Sequence, residues 1–226
     1  MTDPSSLIRK AQAEGRKALT EFESKQFLSA FGVPVCQELI VADADAAAAE
    51  AEKIGFPVVL KASGATLTHK TEAGGVVLNL KSAQEVRSEG LRLMKIPGCE
   101  ALSVQEMVSG PRELVCGLTR DPHFGPAVMF GLGGILTEIL KDTVFRIAPL
   151  TMRDAREMMG EIRASKILEP FRGEAAADLD ILAKALIALG EIGLKHEEVA
   201  EIDINPLKVR PDGRPVAVDA LVILAG

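Results

Sequence analysis

The segment 201–205, near the end of the sequence, carries oxygen donors at every second position. Glu201, Asp203 and Asn205 alternate there with two isoleucines. Because side chains alternate across a strand, the three polar residues are expected on one face. Carboxylate and amide oxygens suit Mg²⁺ held together with nucleotide phosphates. A solvated strand face is the alternative interpretation.

The turn after this segment determines which residues lie opposite it. The run Arg210-Pro211-Asp212-Gly213-Arg214 fits a three-residue hairpin loop, with glycine in the left-handed position. If Arg210 pairs with Arg214, the numbers of paired residues sum to 424, so Asn205 faces Asp219. A two-residue Asp-Gly loop would shift the sum by one and send Asp219 to the opposite face. The three-residue loop therefore predicts an amide and a carboxylate side by side.

A lysine at the end of an apolar segment is a second candidate. Lys61 is followed by a loop that contains Gly64, Gly74 and Gly75. An ammonium group is a strong point charge for phosphate, and a glycine-bearing loop can close over phosphate with its N–H groups. The P-loop pattern is absent, and the glycines of 131–134 do not form a Rossmann fingerprint. A lysine that extends to solvent is the alternative.

The same loop contains a histidine in a polar setting. His69 lies among threonines, Lys70 and Glu72, without an apolar neighbour to pack against. A neutral imidazole near pH 7 is a competent nucleophile, whereas a solvated loop histidine is the alternative. His123, in a turn, and His196, at a helix end, are interpreted as structural or solvated.

Composition excludes several classes of protein. The 226 residues are 47% hydrophobic and 26% charged, which predicts a sizeable core and no disorder. No apolar run reaches the roughly 18 residues of a membrane span, and no secretion signal opens the chain, so we expect no membrane partner. A net charge of −6 without a basic block argues against nucleic acid. Three cysteines without metal-ligand spacing predict a reduced, cytoplasmic setting.

Helix and strand signals alternate along the chain and predict an α+β fold. Capping patterns begin helices at Thr20, Asp43, Ser82 and Thr151. A further long helix is predicted over 175–193. The predicted strands cover residues 37–41, 58–61, 76–80, 102–108, 113–118, 127–130, 136–140, 144–147, 200–209 and 215–222. The break near 97–101 is the predicted boundary between two lobes.

Several of these segments occur in a recognisable order. They are Glu23-Ser24-Lys25, Gly55-Phe56-Pro57-Val58-Val59-Leu60-Lys61, Thr68-His69-Lys70-Thr71-Glu72-Ala73-Gly74-Gly75-Val76, Val104-Gln105-Glu106-Met107-Val108, Met129-Phe130-Gly131-Leu132-Gly133-Gly134, Phe145-Arg146-Ile147-Ala148-Pro149-Leu150 and Glu201-Ile202-Asp203-Ile204-Asn205-Pro206-Leu207. From about residue 15 to the C-terminus, the chain resembles the beta subunit, or fused beta region, of ADP-forming acetyl-CoA synthetases. It is also similar to the nucleotide-binding part of the succinyl-CoA synthetase beta subunit.

The resemblance implies an ATP-grasp fold, in which two α+β lobes enclose a nucleotide. Residues 1–226 would form one ATP-grasp module. Its N-terminal lobe would cover about 20–98 and its C-terminal lobe about 99–226, with residues 1–19 packed on the latter.

The resemblance also implies roles for individual residues. The expected ATP- or ADP-binding residues are Lys25 and Lys61 for phosphates, Gln105, Glu106, Met107 and Val108 for adenine, Glu113 for ribose, and the loop residues Gly74 and Gly75. Asn205 and Asp219 would hold Mg²⁺, in agreement with the hairpin register, and Asp203 is a less certain third ligand. His69 would be catalytic and would relay phosphate to ADP on a swinging loop.

The resemblance further implies a partner. In that family an alpha subunit carries the CoA-binding and CoA-ligase domains and its own phosphohistidine, so an α2β2 heterotetramer is expected. The ordinary start at Met1 favours a separate subunit over a piece of a fused protein. A free-standing ATP-grasp carboxylate–amine ligase and a non-catalytic nucleotide-sensing domain are the alternatives; the first would not need His69.

Overall fold

Residues 3–65, 67, 74–134 and 141–225 are described by a computed structural model, in which the chain forms two units. We call Cys36–Val108 the small unit, and Met1–Val35 together with Ser109–Gly226 the large unit. The chain therefore begins in the large unit, leaves it once and returns to it.

Helices and strands alternate through both units, as expected for an α+β chain. Over the described residues, the helices are α1 (Pro4–Ala13), α2 (Glu21–Ala30), α3 (Ala44–Ile54), α4 (Ala83–Leu93), α5 (Met152–Glu161) and α6 (Leu179–Lys195), with a 3-10 turn at Ser165–Leu168. The strands are β1 (Glu38–Val41), β2 (Val58–Ser63), β3 (Val76–Leu80), β4 (Ala101–Glu106), β5 (Arg112–Asp121), β6 (Gly125–Leu132), β7 (Thr143–Ile147), β8 (Val199–Val209), β9 (Pro215–Ala217) and β10 (Leu221–Leu224). Within the described ranges, every helix is too short or too polar to cross a bilayer.

The small unit is a four-stranded antiparallel sheet, in the order β1-β4-β2-β3, with α3 and α4 packed on one face. Asp43 caps α3 by accepting a hydrogen bond from Ala46 N at 2.8 Å. The buried side of α3 consists of alanines, which permits close approach to α4. A Cβ added at Gly90 of α4 would lie 2.8 Å from Ala44 Cβ, so a larger residue there would push the two helices apart.

The large unit is built on a sheet with strand order β10-β8-β5-β6-β7, to which β9 adds through β8. Helix α6 packs on β5 and β6, and α5 packs on α6. Helix α2 begins with a capping box, in which Thr20 Oγ1 accepts from Glu23 N and Glu23 Oε2 accepts from Thr20 N. The buried α2 residue Phe27 joins the same core as the sheet, so α2 belongs to this unit.

The two units differ from the expected lobes at both ends. Residues 20–35 were expected in the N-terminal lobe, but α2 packs into the core of the large unit. The break expected at 97–101 is also wrong, because β4 lies between β1 and β2 in the small sheet and the division falls after Val108.

The predicted elements were mostly confirmed, with three informative exceptions. The helix predicted over 175–193 begins at Leu179, because Asp178 caps it by accepting from Asp180 N and Ile181 N. The strand predicted over 215–222 is interrupted between β9 and β10. The strand predicted over 136–140 lies outside the described residues.

Candidate functional site

The hairpin of β8 has the register predicted from its turn. Arg210 N donates to Arg214 O at 2.9 Å, and Leu207 pairs with Ala217, so the residue numbers sum to 424. The same sum holds beyond the interruption, where Asp203 pairs with Leu221. The sum of 424 assigns Asn205 to Asp219, and these two residues lie between the paired segments, where the ladder is interrupted. The three-residue loop is confirmed.

A glycine turn orients the amide of Asn205. Gly134 N donates to Asn205 Oδ1 at 3.3 Å, which identifies the side of the amide that carries oxygen. An amide oxygen has two lone pairs, so one remains available for a cation. Gly134 has φ +69°, and a Cβ there would fall 2.2 Å from Glu113 Oε2. The left-handed backbone at Gly134 therefore favours glycine, and a larger residue would also displace the Glu113 side chain.

Glu113 pairs with a lysine that the sequence interpretation overlooked. Glu113 and Lys208 are register partners on β5 and β8, and Lys208 Nζ lies 3.3 Å from Glu113 Oε1. The pair adjoins the Gly134 turn through Glu113. The ribose contact expected for Glu113 stays a prediction.

Carboxylates accumulate on the same face of β8. Burial raises the pKa of Asp203, and the negative charges of Asp219 and Glu201 raise it further. The Cys116 thiol has its pKa raised to about 12, mainly by burial and also by the charge of Asp203. Repulsion of this kind is relieved by a cation.

Mg²⁺ fits this donor set, because Asn205 and Asp219 offer hard oxygen atoms. Asp203 lies close enough to Asp219 for the negative charge of Asp219 to raise its pKa. Among the described residues, no group of three or more His, Cys, Asp and Glu side chains is arranged to hold a metal by itself. A divalent ion at Asn205 and Asp219 would therefore also need ligands from a nucleotide or water.

Lys25 is buried within the large unit beside the interruption between β9 and β10. Only 2% of the residue is exposed, and its Nζ donates to Glu21 Oε1 at 2.8 Å and to Val218 O at 3.3 Å. Val218 directly precedes Asp219. The structure therefore brings Lys25 close to one of the candidate metal ligands, while its expected phosphate contact stays a prediction.

Lys61 belongs to a polar row on the small sheet, on the face opposite the helices. It lies within β2 rather than at the strand's end and is opposite Ser103 of β4. Ser103 Oγ donates to Glu38 Oε1, and Gln105 is two residues further along β4. Lys61, Ser103 and Gln105 are 6%, 3% and 3% exposed. The sequence interpretation did not include Glu38 and Ser103 in the site. A polar residue within an apolar strand, such as Ser103 between Leu102 and Val104, could have indicated them.

The segment expected to contact adenine follows the end of β4. Glu106 Oε1 accepts from Gln37 N at 2.8 Å, and Glu106 N donates to Gln37 O at 3.0 Å. Met107 N donates to Pro57 O at 3.3 Å, and Val108 is 4% exposed. The Glu106 carboxylate thus fixes its own segment to the start of the small unit. Contact of these residues with adenine stays a prediction.

Three residues of the loop after β2 were expected at the site, and the described part of the chain includes two of them, Gly74 and Gly75. Gly75 O accepts from Ala62 N at 2.8 Å, and Gly74 has φ +64°, so both end the loop beside β2 and β3. His69 lies outside the described residues.

Three comparisons identify what this chain is similar to. The ATP-grasp domain family matches residues 10–224. The beta subunit of acetate–CoA ligase [ADP-forming] I of Pyrococcus furiosus is 41% identical over 225 residues, 96% of either chain. Acetate–CoA ligase [ADP-forming] I of Archaeoglobus fulgidus is 43% identical over 208 residues, which are 89% of this chain but 30% of that longer one.

A solved structure agrees with these sequence matches. A chain of the Ca. Korarchaeum cryptofilum dinucleotide-forming acetyl-coenzyme A synthetase 1 matches with a TM-score of 0.88 at 41% identity, over 99% of this chain and 100% of that one. That protein was solved with coenzyme A and Mg-AMPPCP, with its phosphohistidine segment pointing towards the nucleotide-binding site. The chain studied here therefore belongs to the ATP-grasp domain family and, within it, to the beta subunits of ADP-forming acetyl-CoA synthetases.

Proposed function

We propose that this beta subunit binds ADP or ATP with Mg²⁺ and passes a phosphoryl group between the nucleotide and a partner subunit. The observation that carries the proposal is the hairpin register on both sides of Asn205 and Asp219, together with the hydrogen bond from Gly134 N to Asn205 Oδ1. Support comes from the Korarchaeum relative, which was solved with Mg-AMPPCP.

Asn205 and Asp219 would hold the Mg²⁺, with Asp203 as a third candidate. The ion would neutralise phosphate charge and fix the orientation of the phosphate chain. Asn205 is prepared for this role because Gly134 N–H holds its amide oxygen in place. Asp219 is exposed and would supply the carboxylate of the pair.

Other residues would contact the nucleotide directly. In the small unit we assign the phosphates to Lys61 and to the N–H groups of Gly74 and Gly75, and adenine to Gln105 through Val108. In the large unit we assign the ribose to Glu113. The position of Lys61 supports this assignment, because its ammonium lies in the polar row with Ser103 and Gln105, and an ammonium is a strong point charge for phosphate.

His69 would carry the phosphoryl group. Acyl-CoA and inorganic phosphate would give acyl phosphate and free CoA. The acyl phosphate would phosphorylate a histidine of the alpha subunit, and its P–O bond would break to release the carboxylate. The P–N bond of that phosphohistidine would break as a new P–N bond forms at His69. That bond would break in turn as a β-phosphate oxygen of ADP takes the phosphoryl group to give ATP.

An alpha subunit would supply the CoA chemistry. The Pyrococcus relative is a separate beta subunit, whereas the Archaeoglobus relative contains the matching region within a longer chain. We infer that this chain works with an alpha subunit that carries the remaining domains, in an α2β2 assembly.

The metal assignment is tested by titrating the chain with ADP in the presence and absence of Mg²⁺. Asp219→Asn keeps the shape but removes the anionic ligand, so the Mg²⁺-dependent gain in affinity is expected to fall. Glu201→Gln is the matched control, because it removes a negative charge from the same face of β8 without removing a proposed ligand. If both variants lose the same affinity, the face attracts cations only by its overall charge and the assignment is wrong.

A further inference from the structure

Helix α2 holds the backbone on both sides of Asp219. Ser24 Oγ accepts a hydrogen bond from Val222 N at 3.1 Å, and the next residue, Lys25, donates from Nζ to Val218 O at 3.3 Å. Ser24 is fully buried and Lys25 is 2% exposed. Two consecutive residues of one helix therefore fix the chain immediately before Asp219 and three residues after it.

The interrupted strand makes these contacts important. β9 ends at Ala217 and β10 begins at Leu221, so Asp219 lies where the regular ladder is broken. Val218 N still donates to Pro206 O at 3.2 Å, and the Val218 carbonyl accepts from Lys25 Nζ. Lys25 therefore contacts the backbone at the point where the ladder is interrupted.

The position of Lys25 depends in turn on Glu21. Lys25 Nζ lies 2.8 Å from Glu21 Oε1, and the two side chains are 3% and 9% exposed. A buried ammonium without a counter-charge is strongly unfavourable, whereas a complete, hydrogen-bonded pair is tolerated. Glu21 therefore allows a charged lysine to be buried next to Val218.

We propose that Glu21, Ser24 and Lys25, which we call the α2 clamp, are positioning residues that place Asp219 opposite Asn205 for cation binding. This inference rests on the proposed role of Asp219 in binding Mg²⁺. The clamp contributes no ligand to the cation. It fixes the backbone from which the Asp219 carboxylate projects, and Glu21 holds the Lys25 side chain in place.

Loss of Glu21 would weaken cation binding, because Lys25 would hold Val218 less firmly and Asp219 would be misplaced. Outer residues that orient metal ligands typically contribute 10–100-fold to metal affinity. We therefore expect Glu21→Gln to weaken Mn²⁺ binding by roughly tenfold or more.

The experiment measures Mn²⁺ binding to the purified chain with saturating ADP, from the electron paramagnetic resonance of free Mn²⁺. ADP binding in EDTA and the thermal midpoint are measured on the same samples. Glu21→Gln and Ser24→Ala are expected to weaken Mn²⁺ binding and to leave ADP binding in EDTA unchanged. Ser24→Ala removes one hydrogen bond only, so it tests the clamp even if Glu21→Gln folds poorly.

Glu23→Gln is the matched control on the same helix. Glu23 is also a buried carboxylate, at 6% exposed, but it contacts Arg16 and Lys10 rather than the interruption. This variant is expected to lower the thermal midpoint and to leave the Mn²⁺ affinity unchanged. Such a result would separate positioning of Asp219 from general stability of α2.

Three outcomes would overturn the inference. Wild-type Mn²⁺ affinity in both clamp variants would show that α2 does not position Asp219. An equal loss of Mn²⁺ affinity in Glu23→Gln would attribute the effect to helix stability. A loss of ADP binding in EDTA with Glu21→Gln and Ser24→Ala would show that the clamp acts on the nucleotide site itself rather than through Asp219. Failure of the proposed function is distinguishable, because wild-type Mn²⁺ affinity in Asp219→Asn would remove the metal site itself.

Discussion

Glu23 is expected to contribute strongly to stability near neutral pH, because its carboxylate accepts hydrogen bonds at the N-terminus of α2. Burial alone would raise its pKa, but hydrogen bonds from Arg16, from Thr20 N–H and from Lys10 outweigh burial and lower the pKa from 4.5 to about 2. Arg16 Nη1 and Nη2 donate to the two Glu23 oxygens at 2.7 and 3.1 Å.

The free energy that ionised Glu23 contributes to folding follows from the difference between its folded and unfolded pKa. A carboxyl that titrates at about 2 when folded and at 4.5 when unfolded makes the ionised folded state more stable by about 3 kcal/mol. Because the folded pKa is the lower one, this stability is fully present above pH 4.5 and is lost as the pH falls towards 2. Glu23→Gln mimics the protonated form, so it should lose about 3 kcal/mol at pH 7, or roughly 6–12 °C in Tm.

The assay is urea unfolding of wild type and Glu23→Gln at several values between pH 7 and pH 3.5. The difference in free energy of unfolding is expected to shrink as the pH falls below 4.5. Glu14→Gln is the control, since Glu14 contacts the same Arg16 at 2.8 Å but its side chain is 48% exposed, and exposed ion pairs contribute little. A difference that is under about 1 kcal/mol at pH 7, or that is equal for both variants, would refute the reasoning.

Two further predictions concern the site. Gly134→Ala places a Cβ 2.2 Å from Glu113 Oε2 at a left-handed φ. We expect a loss of about 1–2 kcal/mol in stability and weaker Mg²⁺-dependent binding of ADP. Unchanged ADP titrations by calorimetry would show that the hydrogen bond from Gly134 to Asn205 is dispensable. His69→Asn is expected to keep ADP binding but to abolish transfer of labelled phosphate between ATP and the alpha subunit in a reconstituted complex. Near-normal turnover by that variant would exclude the relay.

Signals carried by neighbouring residues predicted the fold well. Thr20 with Glu23, Asp43 and Thr151 each mark a helix start, because the bond they make closes within three residues along the chain. The hairpin register could likewise be derived from the five residues 210–214, since the turn geometry determines the pairs from Val209 with Pro215 and holds as far as Glu201 with Ile223. These features could therefore be predicted from residues that are close together in the sequence, without knowledge of tertiary contacts.

Features that depend on distant residues could not be predicted in the same way. The sequence around β4 has the same strand character whether it pairs in the small sheet or starts the next unit, so the boundary was placed too early. The interruption of the strand predicted over 215–222 has no local breaker such as proline or glycine. Its carbonyl at Val218 is instead taken by Lys25, 193 positions away.

The clamp shows why α2 lies with the large unit rather than the small one. Ala217 N donates to Pro34 O at 2.8 Å, so the segment after α2 also attaches to the hairpin strand that precedes Asp219. The first 35 residues thus support the hairpin from the side opposite β8, and only then does the chain enter the small unit. The contact between Lys25 and Val218 joins residues 193 positions apart, so it carries a loop-closure cost that the hairpin by itself does not. The position of Asp219 therefore depends on contacts from the first 35 residues and not on the hairpin alone.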